Sequence, residues 1–414
     1  MNGQFRQYAV IGVTLALLLG FTGCQTVESI AEDAGVGDLV PETSGSEDES
    51  TAEDAETAEA DAEVPVEALQ VEVNASALEA VAAFDPPQNP DLYPVAVDGQ
   101  WGYMDEHGEI AIEPEYDVAF PFSDGWGRAE RDGTFYFLNP DGEVELTSDL
   151  DFVDDFSDGL AVAREVERTS DNVRDGIFGY INREGEWVMP PQFKQAYTFS
   201  DEWAPVDVNV GDEPEFGQSG EAIFAYITPE GSLAVNRLFD GASYFNEGRG
   251  AVEDGFQWGY IDRDGDFVVE PEFSHADTWA EGRAPVTTTT GTEDWFHIDE
   301  SGTPVGDDTW EVARPFGDGL APVAEYDDGL RERIWHYIDR DGNIVDGGYQ
   351  HAETPYRGLR RVLVGSENAP GEYLSSGGPP SFGERHWDYR LDFYRDYEWT
   401  WIDENGDVVW GPEE

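Results

Sequence analysis

Carboxylates dominate the residues of this chain that could do chemistry. The sequence has 90 Asp and Glu against 22 Lys and Arg, with six His and a single Cys. Two carboxylates flanking a glycosidic bond can act as acid and as nucleophile or base, so a glycan-active hydrolase is one hypothesis. Among 90 carboxylates, some pairs reach a suitable separation by chance. The sequence has no Gly-x-Ser-x-Gly motif and no phosphate-binding glycine loop, so we predict no catalytic residue and no cofactor.

Three turns carry acidic and amide side chains as calcium loops do, namely Asp262–Asp266, Asp339–Asn343 and Asp403–Asp407. An EF-hand loop needs Gly at its sixth position and a bidentate Glu at its twelfth. Gly is the fourth residue here, so we interpret the segments as hairpin turns whose Asp accepts backbone N–H bonds. Weak binding of a divalent cation is the alternative. The histidines form no His-Glu-x-x-His pattern, and we predict no metal site.

Tryptophan is the other abundant residue with binding chemistry, at 13 copies. A row of exposed indoles could stack on sugar rings, because an indole combines a large apolar face with an N–H donor. Several tryptophans instead share one position of a repeated motif, as core residues do. We therefore favour a core role, with a glycan platform as the alternative, for Trp101, Trp258, Trp295, Trp335 and Trp399.

One stretch departs from the repeat and is the strongest candidate for binding. Residues 365–397 form an insertion in the last repeat that is irregular and less acidic than the rest. Insertions in repeat arrays often form the loop that contacts a ligand. The alternative is a cap over the open end of the array. The candidate binding residues are Arg385, Trp387, Tyr389, Arg390, Tyr394, Arg395 and Tyr397.

The N-terminal region predicts an exported lipoprotein. Residues 1–23 carry one charged side chain and an apolar run too short for a membrane span, as in a signal peptide. The run ends at Phe21-Thr22-Gly23-Cys24, which resembles the lipobox of bacterial lipoproteins. The resemblance implies that Cys24 is lipidated and anchors the protein to a membrane. Gln25 stands where an inner-membrane retention signal usually has Asp, so the resemblance further implies the outer membrane.

A tether and a short apolar segment precede the repeats. Residues 24–63 contain 14 acidic residues, no basic residue and no aromatic residue. Such a segment cannot bury enough apolar surface to fold, and its charges extend it, so we predict a disordered acidic tether. Residues 64–91 are more apolar and predict a short helix or a linker, and the repeat domain occupies residues 92–414.

Most of the acidic residues lie in the part that folds. A chain this acidic repels nucleic acid, so we predict no nucleic-acid partner. Its 13% aromatic content excludes a wholly disordered acidic polymer. Only Lys194 among the basic residues is a lysine. Acidic excess with little lysine is typical of halophiles, where salt screens the repulsion; an acidic secreted protein from an ordinary habitat is the alternative.

An eight-fold repeat organises residues 92–414. Its copies begin at Trp101, Phe135, Phe178, Phe224, Trp258, Trp295, Trp335 and Trp399. Each begins with an alternating, β-favouring stretch such as Trp258-Gly259-Tyr260-Ile261-Asp262, followed by a tight turn and a proline-containing strand. A Phe-Ser-Asp-Gly turn and a short apolar stretch complete the unit. We predict an all-β fold of tandem hairpin or meander repeats, closing as a propeller-like toroid, with an open β-solenoid as the alternative.

The complete pattern resembles bacterial WG-repeat proteins over about residues 92–410. The resemblance implies tandem β-repeats of the kind found in exported bacterial proteins, whose biochemical role is poorly defined. The Lys that usually precedes Trp-Gly is replaced, for example by Gln100 and Gln257. We predict a monomeric, non-catalytic, lipid-anchored module that binds an envelope protein or glycan. A glycan hydrolase and a purely structural envelope protein are the alternatives.

Overall fold

The computed structural model describes residues 69–166, 177–208, 222–289, 294–327, 329–330, 332–364 and 399–411. The chain divides into two compact units, Met1–Ala62 and Glu63–Glu414, and every described residue lies in the second. The described part is all-β apart from one helix, α1 (Ala75–Ala82). No helix among these residues is long and apolar enough to cross a membrane.

The described strands form eight antiparallel sheets, in each of which strands pair in chain order. Sheet 1 contains β1 (Leu92–Val97), β2 (Gln100–Asp105) and β3 (Ile110–Tyr116). Sheet 2 contains β4 (Val118–Ser123), β5 (Trp126–Arg131), β6 (Thr134–Leu138) and β7 (Val144–Ser148). Sheet 3 contains β8 (Phe152–Val153), β9 (Leu160–Arg164), β10 (Phe178–Asn182) and β11 (Trp187–Phe193). Sheet 4 contains β12 (Ala204–Asp207) and β13 (Phe224–Ile227).

The second half of the chain repeats the same plan. Sheet 5 contains β14 (Gly241–Asn246), β15 (Arg249–Asp254), β16 (Gln257–Ile261) and β17 (Phe267–Phe273). Sheet 6 contains β18 (His275–Ala276), β19 (Arg283–Thr287) and β20 (Trp295–Asp299). Sheet 7 contains β21 (Val312–Ala313), β22 (Ala321–Asp327), β23 (Glu332–Ile338) and β24 (Ile344–Tyr349). Sheet 8 contains β25 (His351–Ala352), β26 (Arg360–Leu363), β27 (Thr400–Ile402) and β28 (Val408–Trp410).

The sheets are arranged as a β-propeller, as the sequence predicted. Among the described residues, seven sheets are blades of three or four strands, and sheet 4, with two strands, lies between sheets 3 and 5. A complete blade has an inner strand, a second strand, a Trp-Gly strand and an outer strand in chain order. Inner strands are mostly buried, whereas the outer strands β3, β7 and β24 are largely exposed. All eight copies of the predicted motif supply Trp-Gly strands, one to each sheet.

The Trp-Gly motif follows from how the outer strand bends. The pairing of β16 with β17 shifts register next to Pro271, and this bulge brings the outer-strand backbone against Gly259. A Cβ at Gly259 would lie 2.6 Å from the carbonyl oxygen of Val269, and Gly102 and Gly179 face the same obstacle. Four of the five motif tryptophans, Trp101, Trp295, Trp335 and Trp399, are buried, whereas Trp258 is partly buried against the core. The core interpretation is therefore confirmed for these four tryptophans.

A repeated hydrogen bond joins neighbouring sheets near the inner strands. The Tyr260 hydroxyl donates to the carbonyl of Asp277, 17 residues later in the next sheet, at 2.8 Å. Tyr180 makes the same bond to Tyr197 at 2.7 Å. Since each hydroxyl satisfies a carbonyl of the following sheet, these bonds set the stacking of successive blades. The same type of bond is made by Tyr103, Tyr226 and Tyr337, and by the imidazole of His297.

The last sheet contacts the first, so the ring is closed rather than open. The indole N–H of Trp401 in β27 donates to the carbonyl of Pro94 in β1 at 3.2 Å. The Tyr93 hydroxyl donates to the carbonyl of Arg357 at 2.6 Å. Both ends also share one hydrophobic cluster that includes Val95 and Leu359. Closure leaves no end of the array with an exposed apolar face, which favours the ring over a solenoid.

Candidate functional site

The sequence-predicted site residues lie outside the described residues. They are the lipidation candidate Cys24 and the binding candidates Arg385, Trp387, Tyr389, Arg390, Tyr394, Arg395 and Tyr397. The described strands nevertheless fix where the insertion leaves the ring. It joins β26, which ends at Leu363, to β27, which begins at Thr400. The insertion is therefore the connection from the second strand to the Trp-Gly strand of sheet 8.

The blade topology gives the ring two distinct faces. In an antiparallel sheet, successive connections alternate between the two ends of the strands. We call the "turn face" the one that carries the inner-to-second turns and the Asp-x-x-Gly turns. The opposite "insertion face" carries every connection from a second strand to a Trp-Gly strand. The strand ends that flank residues 365–398 lie on it, and so do the strand ends that flank residues 167–176, 209–221 and 290–293.

The grouping of long connections on one face was not predicted. The copies that begin at Phe135 and Phe178 are followed by gaps of 43 and 46 residues, against 34 after Trp101. These longer gaps were a usable signal, since each contains an extended connection of the same type. The sequence alone did not show that the strands flanking them end on the same face of the ring as those flanking the insertion of sheet 8.

Apolar side chains stand exposed at the hairpin tips of the insertion face. Phe256, in the β15–β16 turn, is 84% exposed and has φ of 69°. Tyr326 and Leu330, at the β22–β23 hairpin, are 47% and 62% exposed. A large apolar side chain at a turn tip contributes nothing to the core. These two tips therefore offer contact area for a ligand through three side chains on one face.

The turn face is built differently, as a ladder of carboxylates between sheets. An acidic residue at the tip of each inner turn from sheet 2 to sheet 7 accepts a backbone N–H of the next inner turn; Gly follows this acid except at Asp201, which precedes Glu202. Asp124 accepts from Gly159 at 2.8 Å, and Asp318 accepts from Gly358 at 2.7 Å. The same bond is made by Asp158, Asp201, Glu247 and Glu281. Burial raises the pKa of Asp124 and of Asp158, although the hydrogen bond they accept opposes the shift.

The ladder explains the role of Arg357, which nothing in the sequence singled out. Sheet 8 carries Arg357 in place of the acid, and its guanidinium pairs with Asp91 at 2.8 Å. Sheet 1 has no inner strand among the described residues, and Asn89 there accepts the N–H of Gly125 at 2.7 Å. The link from sheet to sheet is thus continued where the last sheet meets the first. In the sequence, the ladder could have been anticipated from the acidic residue that precedes Gly at the same position of most repeats.

A segment that we call the strap, Leu69–Asp91, covers part of the turn face. Its helix α1 is held by the Asn182 side chain, which donates to the carbonyl of Ala77 at 3.1 Å. Further along, the Arg183 guanidinium lies 3.3 Å from the ring centre of Trp126 and 4.7 Å from that of Phe84. Burial lowers the pKa of Arg183 to about 10. The strap therefore occupies surface on sheets 2 and 3 that a ligand would otherwise reach.

Two adjacent carboxylates, the buried Asp154 and the partly exposed Asp155, both bond to one buried arginine. Arg128, 3% exposed, donates from Nε to Asp155 at 2.5 Å and from Nη2 to Asp154 at 3.2 Å. The Thr198 hydroxyl donates to the other oxygen of Asp154 at 3.0 Å. Burial raises the pKa of Asp154, and Arg128 opposes that shift. Both carboxylates thus neutralise a single buried guanidinium between sheets 2, 3 and 4.

The three calcium-like turns are hairpin turns that their own side chains complete. Asp339 Oδ1 accepts the N–H groups of Asp341 at 3.0 Å and Asn343 at 2.9 Å. These backbone bonds, led by that of Asn343, lower the pKa of Asp339. Asp262 and Asp403 make the same pair of bonds, so the hairpin interpretation is confirmed. Within the described ranges, no group of three or more His, Cys, Asp or Glu is arranged to hold a metal ion.

Comparison with known proteins identifies the repeat unit. A family model described as "WG containing repeat" matches residues 101–135, 178–209 and 258–288. No curated protein matches the sequence. A crystal structure of a eukaryotic initiation factor is similar at 10% identity and TM-score 0.45, over 80% of this chain and 87% of that one. A quinonprotein alcohol dehydrogenase-like protein from Bacteroides thetaiotaomicron is similar at 10% identity and TM-score 0.36, over 62% and 75%. The Neurospora crassa Pan2 WD40 domain is similar at 11% identity and TM-score 0.30, over 64% and 87%.

Proposed function

We propose that this WG-repeat propeller is a non-catalytic binding module that holds an envelope protein or glycan on its insertion face. A lipid anchor at Cys24 holds it at the envelope of a halophilic bacterium, at the outer membrane. A β-propeller carrying WG repeats is a scaffold suited to binding, because a rigid ring presents many loops on one surface. The anchor, the outer membrane, the habitat and the ligand class are proposals from the sequence.

The observation that best supports the proposal is that the two faces of the ring differ in which features they carry. Long connections and exposed apolar tips such as Phe256 and Tyr326 lie on the insertion face. The turn face carries the carboxylate ladder and, over sheets 2 and 3, the strap. Since loops on a rigid scaffold are the usual place for recognition, the insertion face has the free contact surface. The candidates Trp387, Tyr389 and Tyr394 lie in the sequence between β26 and β27, whose facing ends are on that face.

The proposed habitat is supported by the burial of three of the arginines. Arg128, Arg360 and Arg361 are buried, and each pairs with a carboxylate. Their charges therefore do little to offset the acidic surface, which repels itself at low ionic strength. A Debye length of about 3 Å in molar salt screens that repulsion. An acidic fold with buried arginines is thus suited to a saline exterior.

The binding proposal is tested by ligand capture with variants on the two faces. Native protein is screened against a glycan array and against solubilised envelope proteins at high salt. Phe256→Ala and the pair Trp387→Ala and Tyr389→Ala are compared with Val144→Ala on an outer strand, which is also exposed. We expect the insertion-face variants to lose about tenfold in affinity, equivalent to about 1.4 kcal/mol. Equal binding by all variants would place the ligand elsewhere on the molecule.

The same screen separates binding from catalysis. A glycan bound without change in its chain length is the expected result. Hydrolysis that is lost on replacing one carboxylate would refute the non-catalytic assignment. The anchor is tested separately by labelled fatty-acid incorporation, which we expect in the native chain and not in Cys24→Ala. Absence of label from the native chain would contradict the anchor and leave the binding proposal standing.

A further inference from the structure

The first residues of the strap run beside the outer strand of sheet 3 and bond to it at two places, although they form no fifth strand of that sheet. The backbone N–H of Asn74 donates to the carbonyl of Val188 in β11 at 2.8 Å. Two residues earlier, Glu72 donates its N–H to Gln192 Oε1 at 2.8 Å and accepts from Gln192 Nε2 at 2.9 Å. Main-chain bonds of this kind recognise an extended peptide whatever its side chains.

Gln192 supplies a hydrogen-bond donor that the two prolines of the outer strand lack. β11 has Pro190 and Pro191 at its bulge, and proline has no N–H to donate to an added strand. The side-chain amide of Gln192 carries both a donor and an acceptor, so it pairs with both backbone groups of Glu72. At the equivalent position of sheets 1 and 5 stand Glu115 and Glu272, which cannot donate. Sheet 3 is thus adapted to hold a peptide at this edge.

The side chains of the segment fit apolar surface on one side. Leu69, Val71 and Val73 are partly buried against the core of sheets 3 and 4, while the residues between them are exposed. Beneath the segment, Val188 is fully buried, whereas its counterparts in sheets 1 and 5, Ala111 and Val268, are exposed. The absence of a side chain at Gly231 makes room for Val73, whose Cγ2 would lie 2.5 Å from an added Cβ.

We propose that this edge is a docking site for an extended peptide with apolar residues at alternate positions, and that a second copy of the chain can fill it. In the structure the site is filled by the chain's own Leu69–Asn74. The same segment of another copy presents the same backbone groups and side chains. Exchange of the segment would then link two rings without any new type of contact.

At ordinary protein concentrations the chain's own Leu69–Asn74 segment occupies the site in preference to the segment of a second copy. It is tethered to its site by the rest of the strap, so its effective concentration is on the order of millimolar. A free peptide at micromolar concentration cannot displace it. Exchange therefore becomes measurable only when the intramolecular segment is weakened or its site is impaired in one of two partners.

Complementation between two variants of the full chain tests the proposal. Val71→Asp weakens the segment and leaves the site free. Gln192→Glu impairs the site, because the new carboxylate cannot donate to the Glu72 carbonyl, and leaves the segment intact. Each variant alone is expected to be monomeric by light scattering coupled to size exclusion. An equimolar mixture at about 100 µM is expected to give a one-to-one dimer. A mixture that stays monomeric while both variants are folded would overturn the proposal.

A peptide experiment tests the same site without requiring two chains to associate. A fluorescent peptide of residues 69–82 is titrated into the native chain and into two variants, Val71→Asp and Glu72→Pro. The second variant removes only the backbone N–H that Glu72 donates to Gln192. We expect binding at least about tenfold tighter to the two variants than to the native chain. The same peptide with Asp at positions 71 and 73 should not bind. Glu272→Gln, the matched change on sheet 5, should leave the affinity unchanged. Peptide binding to Val71→Asp that is unchanged when Gln192→Glu is added, or no binding to either folded strap variant, would refute the site.

Discussion

Replacing Gly259 with alanine tests the physical basis of the Trp-Gly motif. An added Cβ would lie 2.6 Å from the carbonyl oxygen of Val269, 2.8 Å from the nitrogen of Pro271 and 2.9 Å from the carbonyl carbon of Glu270. All three atoms belong to backbone, so the clash is relieved only by moving the outer strand out of its bulge. Overpacking in a dense core costs about 1–3 kcal/mol, and immobile backbone neighbours put this site at about 3 kcal/mol or above.

Urea denaturation at constant high salt, followed by tryptophan fluorescence, measures the effect. With a slope of about 3 kcal/mol/M, a loss of 3 kcal/mol lowers the midpoint by about 1 M at unchanged slope. Gly329→Ala is the matched control, since its only close neighbour is Asp327 Oδ1, the end of an exposed side chain. We expect that control to unfold like the native protein. If Gly259→Ala also did so, the close approach of the outer strand would not be the reason for the motif's glycine.

Three further outcomes are expected. Tyr260→Phe leaves the Asp277 carbonyl buried without its hydroxyl donor and should cost about 1–3 kcal/mol in the same assay, whereas Tyr326→Phe, at an exposed site, should cost nothing measurable. Burial lowers the pKa of His297 to about 4, so the unfolded chain binds the proton more readily; stability should fall as the pH drops from about 6.5 to about 4, by about 3 kcal/mol from this group. His297→Tyr, which restores the commonest residue of this repeat position, should flatten that part of the pH profile, and an unchanged profile would assign the loss to other groups. Circular dichroism should show strand signal lost on dialysis from molar to low salt, and an indifferent spectrum would contradict the halophilic assignment.

Local chemistry made much of the blade predictable. Alternation, β-branched and aromatic residues, and Asp-x-x-Gly turns act within a few residues, so each copy carried its own strand and turn signals. The equivalent positions of Trp101, Trp295 and Trp335 likewise predicted burial, because a core position recurs with the repeat. For the insertion at residues 365–397, the sequence identified a break in the pattern but no face of the ring.

Contacts to backbone explain why the rest was not predictable. The Tyr260 hydroxyl and the Asp124 carboxylate bond to main-chain groups of the next sheet, and every residue has such groups, so the partner leaves no trace in the sequence. Gln192 meets Glu72 across 120 positions of the chain, and nothing local in either residue indicates the other.

The sequence by itself determined that this protein is an eight-fold array of acidic β repeats whose members are nearly equivalent. Only the tertiary structure decided that the array closes, which face carries its long connections, and where the strap lies. Repetition is the reason for that division. A repeat specifies each blade and its neighbour, whereas closure depends on the positions that break the repeat, such as Arg357 opposite Asp91 and Trp401 opposite Pro94.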